Sequence, residues 1–396
     1  RDIIYLWVAR MIFTSLEFLD EIPFEKVIIH ATILDPEGRR MSKSKGTGVD
    51  PLLVMDKYGT DACRYWMAGA GTASQDVRYR EEKIEAYRNF ANKLWNASRF
   101  VLTKAAGEGA APQRPAKLES SIDRWIVSRL NAVIASVTAD LEAFEFASAT
   151  QTLYEFTWNE FCDWYVELAK PRLDEGDETV RWVLSHVMNQ LLKLLHPFMP
   201  FITEEIHQLL IQRGWAEAAE TLQLTGWPVA DAAAADAEAE RETGLLIEAV
   251  RTVRNMRAEL KIEPAKRAEK LILVATPGDK AVLEAVAPYI GRMTRSEQVE
   301  ILGAAPTITK ASTGLFGENQ AVLPLEQFGD VLEKEIKRLD KELVSLESEK
   351  ARVAGQLGNE AFVSKAPAAV VDKLRARQEE IEVQLGTVKQ QLARWQ

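Results

Sequence analysis

The sequence has 396 residues, of which 47% are hydrophobic and 27% are charged, and its formal net charge is -10 at pH 7. This length allows two to four domains with sizeable cores, and the composition is typical of a soluble globular protein. The negative charge argues against non-specific coating of nucleic acid, but it permits a local basic face, because phosphate binding depends on patches of charge.

The cysteines and the first residues indicate the cellular compartment in which the protein is expected. Cys63 and Cys162 lie far apart and form no CxxC pair, which favours a reducing compartment and offers no zinc site. Residues 1–7 lack the order of a signal peptide, and no apolar run reaches the length that spans a membrane. We therefore expect a cytoplasmic protein with no membrane partner.

The first predicted elements are a helix and a strand. The apolar spacing of residues 3–18 predicts a largely buried helix, and the apolar run at residues 27–34 predicts a strand. Residues 35–38 read Asp-Pro-Glu-Gly, which is the chemistry of a turn. The chain is therefore expected to turn sharply as it leaves the strand.

A basic loop follows this turn. Four cations lie within seven residues, interleaved with hydroxyls and bounded by glycines: Arg39, Arg40, Lys43 and Lys45. Beyond the loop, Asp50 can cap a helix that Pro51 opens, because proline at the first helical position forfeits no intrahelical bond. A compact ammonium on a glycine-hinged loop suits the binding and release of a polyphosphate. A solvated basic turn is the alternative, and the spacing excludes a Walker P-loop.

The segment Arg40-Met41-Ser42-Lys43-Ser44 resembles the KMSKS signature of class I aminoacyl-tRNA synthetases, with Arg40 in place of the first lysine. Residues 46–51 and 57–62 extend the match to the branch that handles valine, isoleucine and leucine. The resemblance implies that Lys43 is a catalytic residue that stabilises charge on the leaving pyrophosphate. It places the ATP site on the whole segment: Arg40, Met41, Ser42, Lys43 and Ser44. Thr47 departs from the asparagine common in the family. ATP would bring Mg²⁺, and no protein-bound metal is expected.

Three helical segments are predicted next, at residues 51–58, 61–68 and 81–102. Within the third, residues 87–97 resemble valyl-tRNA synthetases, although an aromatic packing helix is the simpler interpretation of that stretch. Residues 107–118 are rich in proline and small residues, which predicts a linker.

A long run of helical periodicity extends over residues 121–260. Two prolines in residues 196–206 predict a helix break, after which Thr203 is expected to begin a new helix with a capping box. This stretch resembles the helical anticodon-binding domain of the same branch. His196 is interpreted as a packing or capping histidine rather than a ligand.

The densest cationic stripe lies near the end of that run. Arg251, Arg254, Arg257 and Lys261 recur at three- and four-residue spacing, which predicts one helical face. Two interpretations stay open: a solvated helix face, or contact with an RNA backbone.

The pattern changes to a small α+β module at residues 270–328. Strands are predicted at 271–274, 299–302 and 321–325, and a helix at 279–290.

The last segment shows heptads, which predict two antiparallel helices in a coiled-coil hairpin, with dimerisation through the seam as the alternative. Residues 362–367 at the expected tip resemble the C-terminal arm of bacterial valyl-tRNA synthetases. That resemblance implies tRNA contacts by Lys337, Lys341 and Arg375.

The predicted fold is multi-domain and mainly α. Residues 1–50 would end a class I Rossmann catalytic domain, 51–118 would form a helical stem-contact region and linker, and 119–265 an α-helical anticodon-binding domain. Residues 266–328 would form the small α+β module, and 329–396 the coiled-coil tRNA-binding arm.

The resemblance favours the C-terminal portion of a valyl-tRNA synthetase, with tRNA(Val) as partner, ATP and L-valine as substrates of the complete enzyme, and a monomer. None of the four histidines lies in a His-x-Gly-His sequence, so the isolated fragment is predicted to be inactive. The alternatives are a non-catalytic tRNA-binding fragment or a leucyl- or isoleucyl-type synthetase. The lack of a cysteine-bearing zinc module argues against the isoleucyl type.

Overall fold

The structure is a computed structural model that describes residues 3–42, 46–70, 76–105, 112–308, 310–358 and 368–395. Helices dominate this part of the chain, and its strands form two small sheets. The chain divides into two compact units, residues 1–240 and residues 241–396. None of the described helices combines the length and the apolar composition that crossing a membrane requires.

The first unit begins with a π-helical segment, Ile4–Val8, that continues into α1, Ala9–Leu19. The predicted helix is confirmed, but its predicted burial is wrong. No residue of either segment is buried, and the side chains of Phe13 and Phe18 are 70% and 79% exposed. Apolar periodicity gives a helix its amphipathic face, whereas burial requires a second element packed against that face.

The strand predicted at residues 27–34 is much shorter in the structure. Strand β1, Ile33–Leu34, pairs in parallel with β2, Val77–Arg78. Val27 and Ile28 are 46% and 53% exposed. The prediction was too long because an apolar run becomes a strand only where a neighbouring strand satisfies its backbone groups, and β2 offers two residues.

Three helices follow and form the first core. Helix α2, Pro51–Tyr58, is capped as predicted, since the Asp50 carboxylate accepts a hydrogen bond from the Leu52 N–H at 2.9 Å. Helices α3, Thr60–Ala70, and α4, Glu81–Phe100, then pack together. Four apolar side chains of α4 are buried: Ile84, Phe90, Leu94 and Ala97. A π-helical segment, Val101–Ala105, extends α4.

The predicted helical run forms a bundle. Its elements are α5, Ser121–Glu142; α6, Phe146–Glu155; a π-helical segment, Phe156–Tyr165; α7, Val166–Asp174; α8, Glu178–Leu195; and α9, Pro200–Gln212. Asp177 caps α8 by accepting hydrogen bonds from the Thr179 and Val180 N–H groups. Helix α8 is central, because ten of its 18 residues are buried.

The helix break before α9 is confirmed, but the predicted restart at Thr203 is wrong. Helix α9 begins at Pro200, and the Thr203 hydroxyl donates to the Met199 carbonyl at 2.8 Å instead of capping. The cap comes from α3, where the Asp61 carboxylate accepts the N–H groups of Phe201 and Ile202 at 3.3 and 2.7 Å. A sequence motif cannot reveal such a cap, since Asp61 is distant in sequence from the helix that it caps.

The second unit contains most of α10, Ala237–Glu259, and a four-stranded sheet in the order β4-β3-β6-β5. The strands are β3, Ala268–Val274; β4, Ser296–Leu302; β5, Ala311–Phe316; and β6, Asn319–Pro324. Helix α11, Lys280–Thr294, connects the parallel pair β3 and β4. The strands predicted at 271–274, 299–302 and 321–325 correspond to β3, β4 and β6, and the helix predicted at 279–290 corresponds to α11.

Strand β5 was missed because Ser312, Thr313 and Gly314 interrupt its apolar pattern. Gly314 is required by packing: a Cβ there would lie 2.6 Å from Thr252 and 2.9 Å from Met256, both on α10.

Two long helices complete the second unit: α12, Gly329–Leu357, and α13, Ala368–Trp395. They share one apolar cluster whose members follow the predicted seam: Leu339, Leu346, Val353, Ile381, Leu385, Val388 and Leu392. The predicted tip, residues 362–367, lies outside the described residues. The antiparallel coiled-coil hairpin therefore stays a prediction.

Candidate nucleotide-binding loop and RNA-binding surfaces

The entry to the basic loop is held by Asp35 and Arg39. The Asp35 carboxylate accepts the Arg39 N–H at 2.7 Å and its guanidinium Nε–H at 2.8 Å, and the Gly38 N–H donates to the Asp35 carbonyl at 2.9 Å. Gly38 has φ +86°, and a Cβ there would lie 3.2 Å from the Arg78 guanidinium. The turn is therefore fixed by an ion pair and by a glycine that has no easy substitute.

Burial raises the pKa of the Asp35 carboxyl, but the hydrogen bonds from Arg39 outweigh burial and leave that pKa below its ordinary value. Asp35 therefore stays ionised near neutral pH. The ion pair that fixes the turn persists under the same conditions.

The far side of the loop is closed by Ser42 and Thr47. The Thr47 hydroxyl oxygen accepts a hydrogen bond from the Ser42 N–H at 3.0 Å, and the Thr47 N–H donates to the Ser42 carbonyl at 3.3 Å. Gly46 has φ +62°, in the left-handed region. These contacts bring the two ends of residues 43–46 together. Thr47 thus helps to close the loop. The comparison with the asparagine common in the family did not show this role.

Met41 attaches the loop to the apolar core of the first helices. It packs against the apolar cluster that includes Val54 and Trp66. A cavity of about 170 Å³ lies here, lined almost wholly by apolar side chains such as Val49 and Met55. Met41 therefore packs on the apolar core next to the loop.

The structure describes only some of the other predicted loop residues. Arg40 is exposed and forms an isolated backbone bridge with Leu34, and Ser42 is half-buried. Lys43 and Ser44 lie outside the described residues, so their assignment depends on the sequence alone.

The helices after the loop are tied to one another and to the bundle. The Glu81 carboxylate accepts from Lys57 Nζ at 2.6 Å and from the Tyr58 hydroxyl at 2.7 Å. On α3, the Tyr65 hydroxyl donates to the Thr150 carbonyl at 2.6 Å and Arg64 donates to the Pro197 carbonyl at 3.0 Å. The loop is thus mounted on helices that pack directly on the bundle.

His196 lies where the bundle turns from α8 into α9. Its Nδ1 is 2.8 Å from the Thr203 hydroxyl, and burial lowers its pKa. This agrees with a packing histidine.

The cationic stripe is not one exposed helical face. Arg251 and Arg254 are positioned on α10, but Arg257 is only 6% exposed and donates to the carbonyls of Glu263 and Lys266. Helix α10 ends at Glu259, so Lys261 lies beyond it with φ +51°. The prediction of one face is corrected, because spacing alone does not show which side of a helix meets the module that follows.

On the paired helices, Lys337, Lys341 and Arg375 are all placed on the surface. Arg375 lies 3.8 Å from Asp372 in an exposed ion pair. Ion pairs also cross between α12 and α13: Arg377 contacts both Glu349 oxygens, at 3.1 and 3.0 Å, and Lys350 lies 2.8 Å from Glu382. The surface therefore carries both signs of charge.

Both cysteines, Cys63 and Cys162, are buried and free, and burial raises the pKa of the Cys162 thiol to about 12. Neither thiol has the thiolate character that reactivity needs.

Three family models match the sequence in succession. The model of class I tRNA synthetases for isoleucine, leucine, methionine and valine matches residues 1–80, and the anticodon-binding domain of tRNA ligases matches residues 123–272. The valyl-tRNA synthetase tRNA-binding arm matches residues 331–396.

Curated relatives agree with these matches. A valine–tRNA ligase of Carboxydothermus hydrogenoformans is 45% identical over 381 residues, which is 95% of this chain and 42% of the relative. One from Bacillus subtilis is 41% identical over 396 residues, which is 99% of this chain and 44% of the relative. This chain is a homologue of the valine–tRNA ligases. It spans less than half the length of these relatives.

A solved structure was also found, the ternary complex of Agrobacterium radiobacter K84 LeuRS with tRNA and LeuAMS. It is 24% identical, with a TM-score of 0.47, and covers 58% of this chain and 27% of that chain. At this TM-score the similarity adds no evidence beyond the sequence relatives.

Proposed function

We propose that this chain is the portion of a valine–tRNA ligase that carries the ATP-contacting loop and the tRNA-binding parts. The complete enzyme would join L-valine to tRNA(Val) at the expense of ATP, releasing AMP and pyrophosphate. The observation that carries the proposal is the match of one chain both to the class I catalytic family and to the arm named for valyl-tRNA synthetases. The identity to valine–tRNA ligases over nearly the whole chain supports it.

The chemistry assigned to the loop is the placement of positive charge around phosphates. Lys43 would stabilise the charge that moves onto the leaving pyrophosphate, and Arg40 would add a second cation with a planar guanidinium. Ser42 and Ser44 would donate hydrogen bonds to phosphate oxygens, and Mg²⁺ would arrive with the ATP substrate. The contacts of Asp35 with Arg39 and of Ser42 with Thr47 support this role, because they fix both ends of a short segment.

The tRNA would be bound at two surfaces of the chain. We assign surface contacts with the RNA backbone to the exposed Arg251, Arg254 and Lys261; Arg257 is buried and does not belong to this exposed set. Lys337, Lys341 and Arg375 would provide contacts on the helix pair, which we propose is an antiparallel coiled-coil arm. The proposed domains keep the boundaries at residues 50, 118, 265 and 328.

The decisive experiment replaces Lys43 in the complete enzyme. Valine-dependent exchange of pyrophosphate into ATP should fall by about a hundredfold or more in Lys43→Ala, the usual cost of losing one donor that stabilises the transition state. Valine binding should change little, because the charge develops mainly in the transition state. Lys57→Ala is the matched control, since Lys57 already pairs with Glu81 away from the loop. A fall of less than about threefold in Lys43→Ala would remove its assigned role.

The same assay separates the alternatives. The chain by itself should support no exchange, and the complete enzyme should respond to valine rather than to leucine or isoleucine.

A separate experiment tests the helix pair: deleting residues 330–396 should weaken tRNA binding while the bundle stays folded. Unchanged tRNA affinity, or a dimer that becomes monomeric on truncation, would instead favour a dimerising helix pair.

A further inference from the structure

A second cationic feature lies in the second unit, where the end of α10, residues 260–267 and the end of α11 meet. A pocket of about 370 Å³ opens at this junction. Its lining includes three arginines beside apolar and hydroxyl groups: Arg254, Arg257, Arg295, Ile262, Pro264 and Thr294. No acidic side chain lines the pocket in the part of the chain that the structure describes.

Arg257 is the inner member of this group. Its side chain crosses beneath the turn after α10, where Nη2 donates to the carbonyls of Glu263 and Lys266. Its Nη1 is buried and has no hydrogen-bond partner among the residues that the structure describes. A buried guanidinium N–H without an acceptor is costly, and native structures rarely leave one. Burial, with the nearby Arg295, lowers the pKa of Arg257.

The two outer arginines also donate to backbone carbonyls. Arg254 donates from Nε and Nη2 to the Met293 carbonyl at 3.3 and 3.2 Å, and Arg295 Nη1 donates to the Ala265 carbonyl at 3.4 Å. One explanation is that all three arginines simply neutralise carbonyls at the ends of α10 and α11. That explanation accounts for Nη2 of Arg257 and leaves Nη1 without an acceptor.

We propose that this pocket binds one phosphate group, with Arg257 as the inner donor and Arg254 and Arg295 as the outer cations. A phosphate offers several acceptor oxygens and carries negative charge, which matches three guanidinium groups. The same chemistry comes from two sources, a phosphodiester of an RNA backbone or a free phosphate or pyrophosphate. The proposal does not depend on the assignment of valine–tRNA ligase activity.

The test uses the full chain and variants that spare its packing. Arg295→Asn removes the charge and keeps a residue that tolerates the left-handed backbone of position 295, where φ is +56°. Arg254→Gln changes an exposed helical position. Arg292→Gln is the matched control, because Arg292 is exposed on α11, does not line the pocket and loses the same charge.

Inorganic phosphate is titrated at constant ionic strength and followed by phosphorus NMR and by the rise in melting temperature. We expect at least about tenfold weaker phosphate binding in both pocket variants, since each loses a charge-assisted hydrogen bond, and an unchanged affinity in Arg292→Gln. Equal phosphate affinity in the wild type, the control and both pocket variants would overturn the proposal.

A second titration with a tRNA transcript identifies the source. If an RNA phosphodiester occupies the pocket, inorganic phosphate competes with tRNA, and each pocket variant lowers the salt slope of tRNA binding by about one unit. If tRNA binding is unchanged while phosphate binding falls, the ligand is a free phosphate, and the proposal stands. Loss of valine activation elsewhere in the enzyme affects neither titration, so failure of the proposed function and failure of this site give different results.

Discussion

The helical bundle and the helix pair α12–α13 are both all-helical, yet they are held together in different ways. In the bundle, the 18-residue helix α8 alone buries ten residues. Helices α12 and α13 have 29 and 28 residues, and their shared cluster contains seven buried residues: Leu339, Leu346, Val353, Ile381, Leu385, Val388 and Leu392. One element of the bundle therefore contributes more buried side chains than this shared cluster of the pair.

The bundle also contains an ion pair that is more deeply buried than the cross-helix ion pairs of α12 and α13. In the bundle, Arg172 lies 2.8 Å from Asp123, whose side chain is fully buried and also accepts from the Tyr165 hydroxyl at 2.9 Å. In the pair, the cross-helix contacts of Arg377 and Lys350 are partly exposed to solvent. A bundle fixed by buried ion pairs is therefore costly to alter, whereas the helix pair presents charges that a ligand can reach.

The largest effect is expected from breaking the buried pair of the bundle. Arg172→Met leaves the Asp123 carboxylate buried without its cation and should destabilise the bundle by about 3–5 kcal/mol. Urea unfolding followed by tryptophan fluorescence measures the loss. Lys117→Met is the control, because its partner Glu119 is exposed and the pair should contribute little. A similar loss in both variants would remove the distinction between buried and exposed pairs.

Cavity-forming substitutions sharpen the comparison of the two cores. Leu191→Ala on α8 should cost about 2–5 kcal/mol, because Leu191 is fully buried among several helices. Leu346→Ala on α12 should cost less, since Leu346 is 9% exposed and solvent can fill part of the space. Hydrogen exchange of the amides in each region reports the two losses separately. A larger loss for Leu346→Ala than for Leu191→Ala would contradict this order.

Acid should destabilise the bundle by protonating His186. The His186 ring stacks on Trp182, with ring centroids 4.8 Å apart. Burial, together with Arg114, lowers the pKa of His186 to about 4. Its ordinary value is about 6.5, so the unfolded chain binds a proton first as the pH falls. The stability contributed by neutral His186 is present above about pH 6.5 and is lost between about pH 6.5 and 4, by up to about 3 kcal/mol.

The measurement for His186 is the pH dependence of unfolding in the wild type and in His186→Gln, which cannot titrate. The variant should show a shallower loss of stability in this range. Parallel curves would show that another group causes the acid sensitivity. The sequence of the helix pair contains no histidine, so the pair serves as an internal control.

The smallest effect is expected at the surface of the pair. Arg377→Gln removes a contact to both oxygens of Glu349, but both side chains are partly exposed, so the unfolding transition of the pair should move far less than in Leu346→Ala. The difference between Arg377→Gln and the wild type should vanish in high salt, because screening weakens exposed ion pairs. A salt-independent loss would indicate a packing role for the Arg377 stem.

Much of the fold was predictable because its signals are local. The limits of α2 follow from Asp50, Pro51 and Gly59, and the seam of the helix pair follows from the heptads. The predictions that failed required a partner distant in sequence. The start of α9 depends on Asp61, the length of β1 depends on the short strand β2, and the burial of α1 depends on a packing surface that its own sequence does not encode.

The candidate site likewise has features that the sequence predicts and features that only the folded structure shows. The sequence by itself determined the family resemblance, the basic composition of the loop and the helical periodicity, because these depend on neighbouring residues. Only the tertiary structure decided that Ser42 and Thr47 close the loop, that Met41 anchors it and that Arg257 turns inward from its stripe. Each of these depends on which side-chain and backbone groups meet in the folded chain, and periodicity shows which residues share a face but not what that face meets.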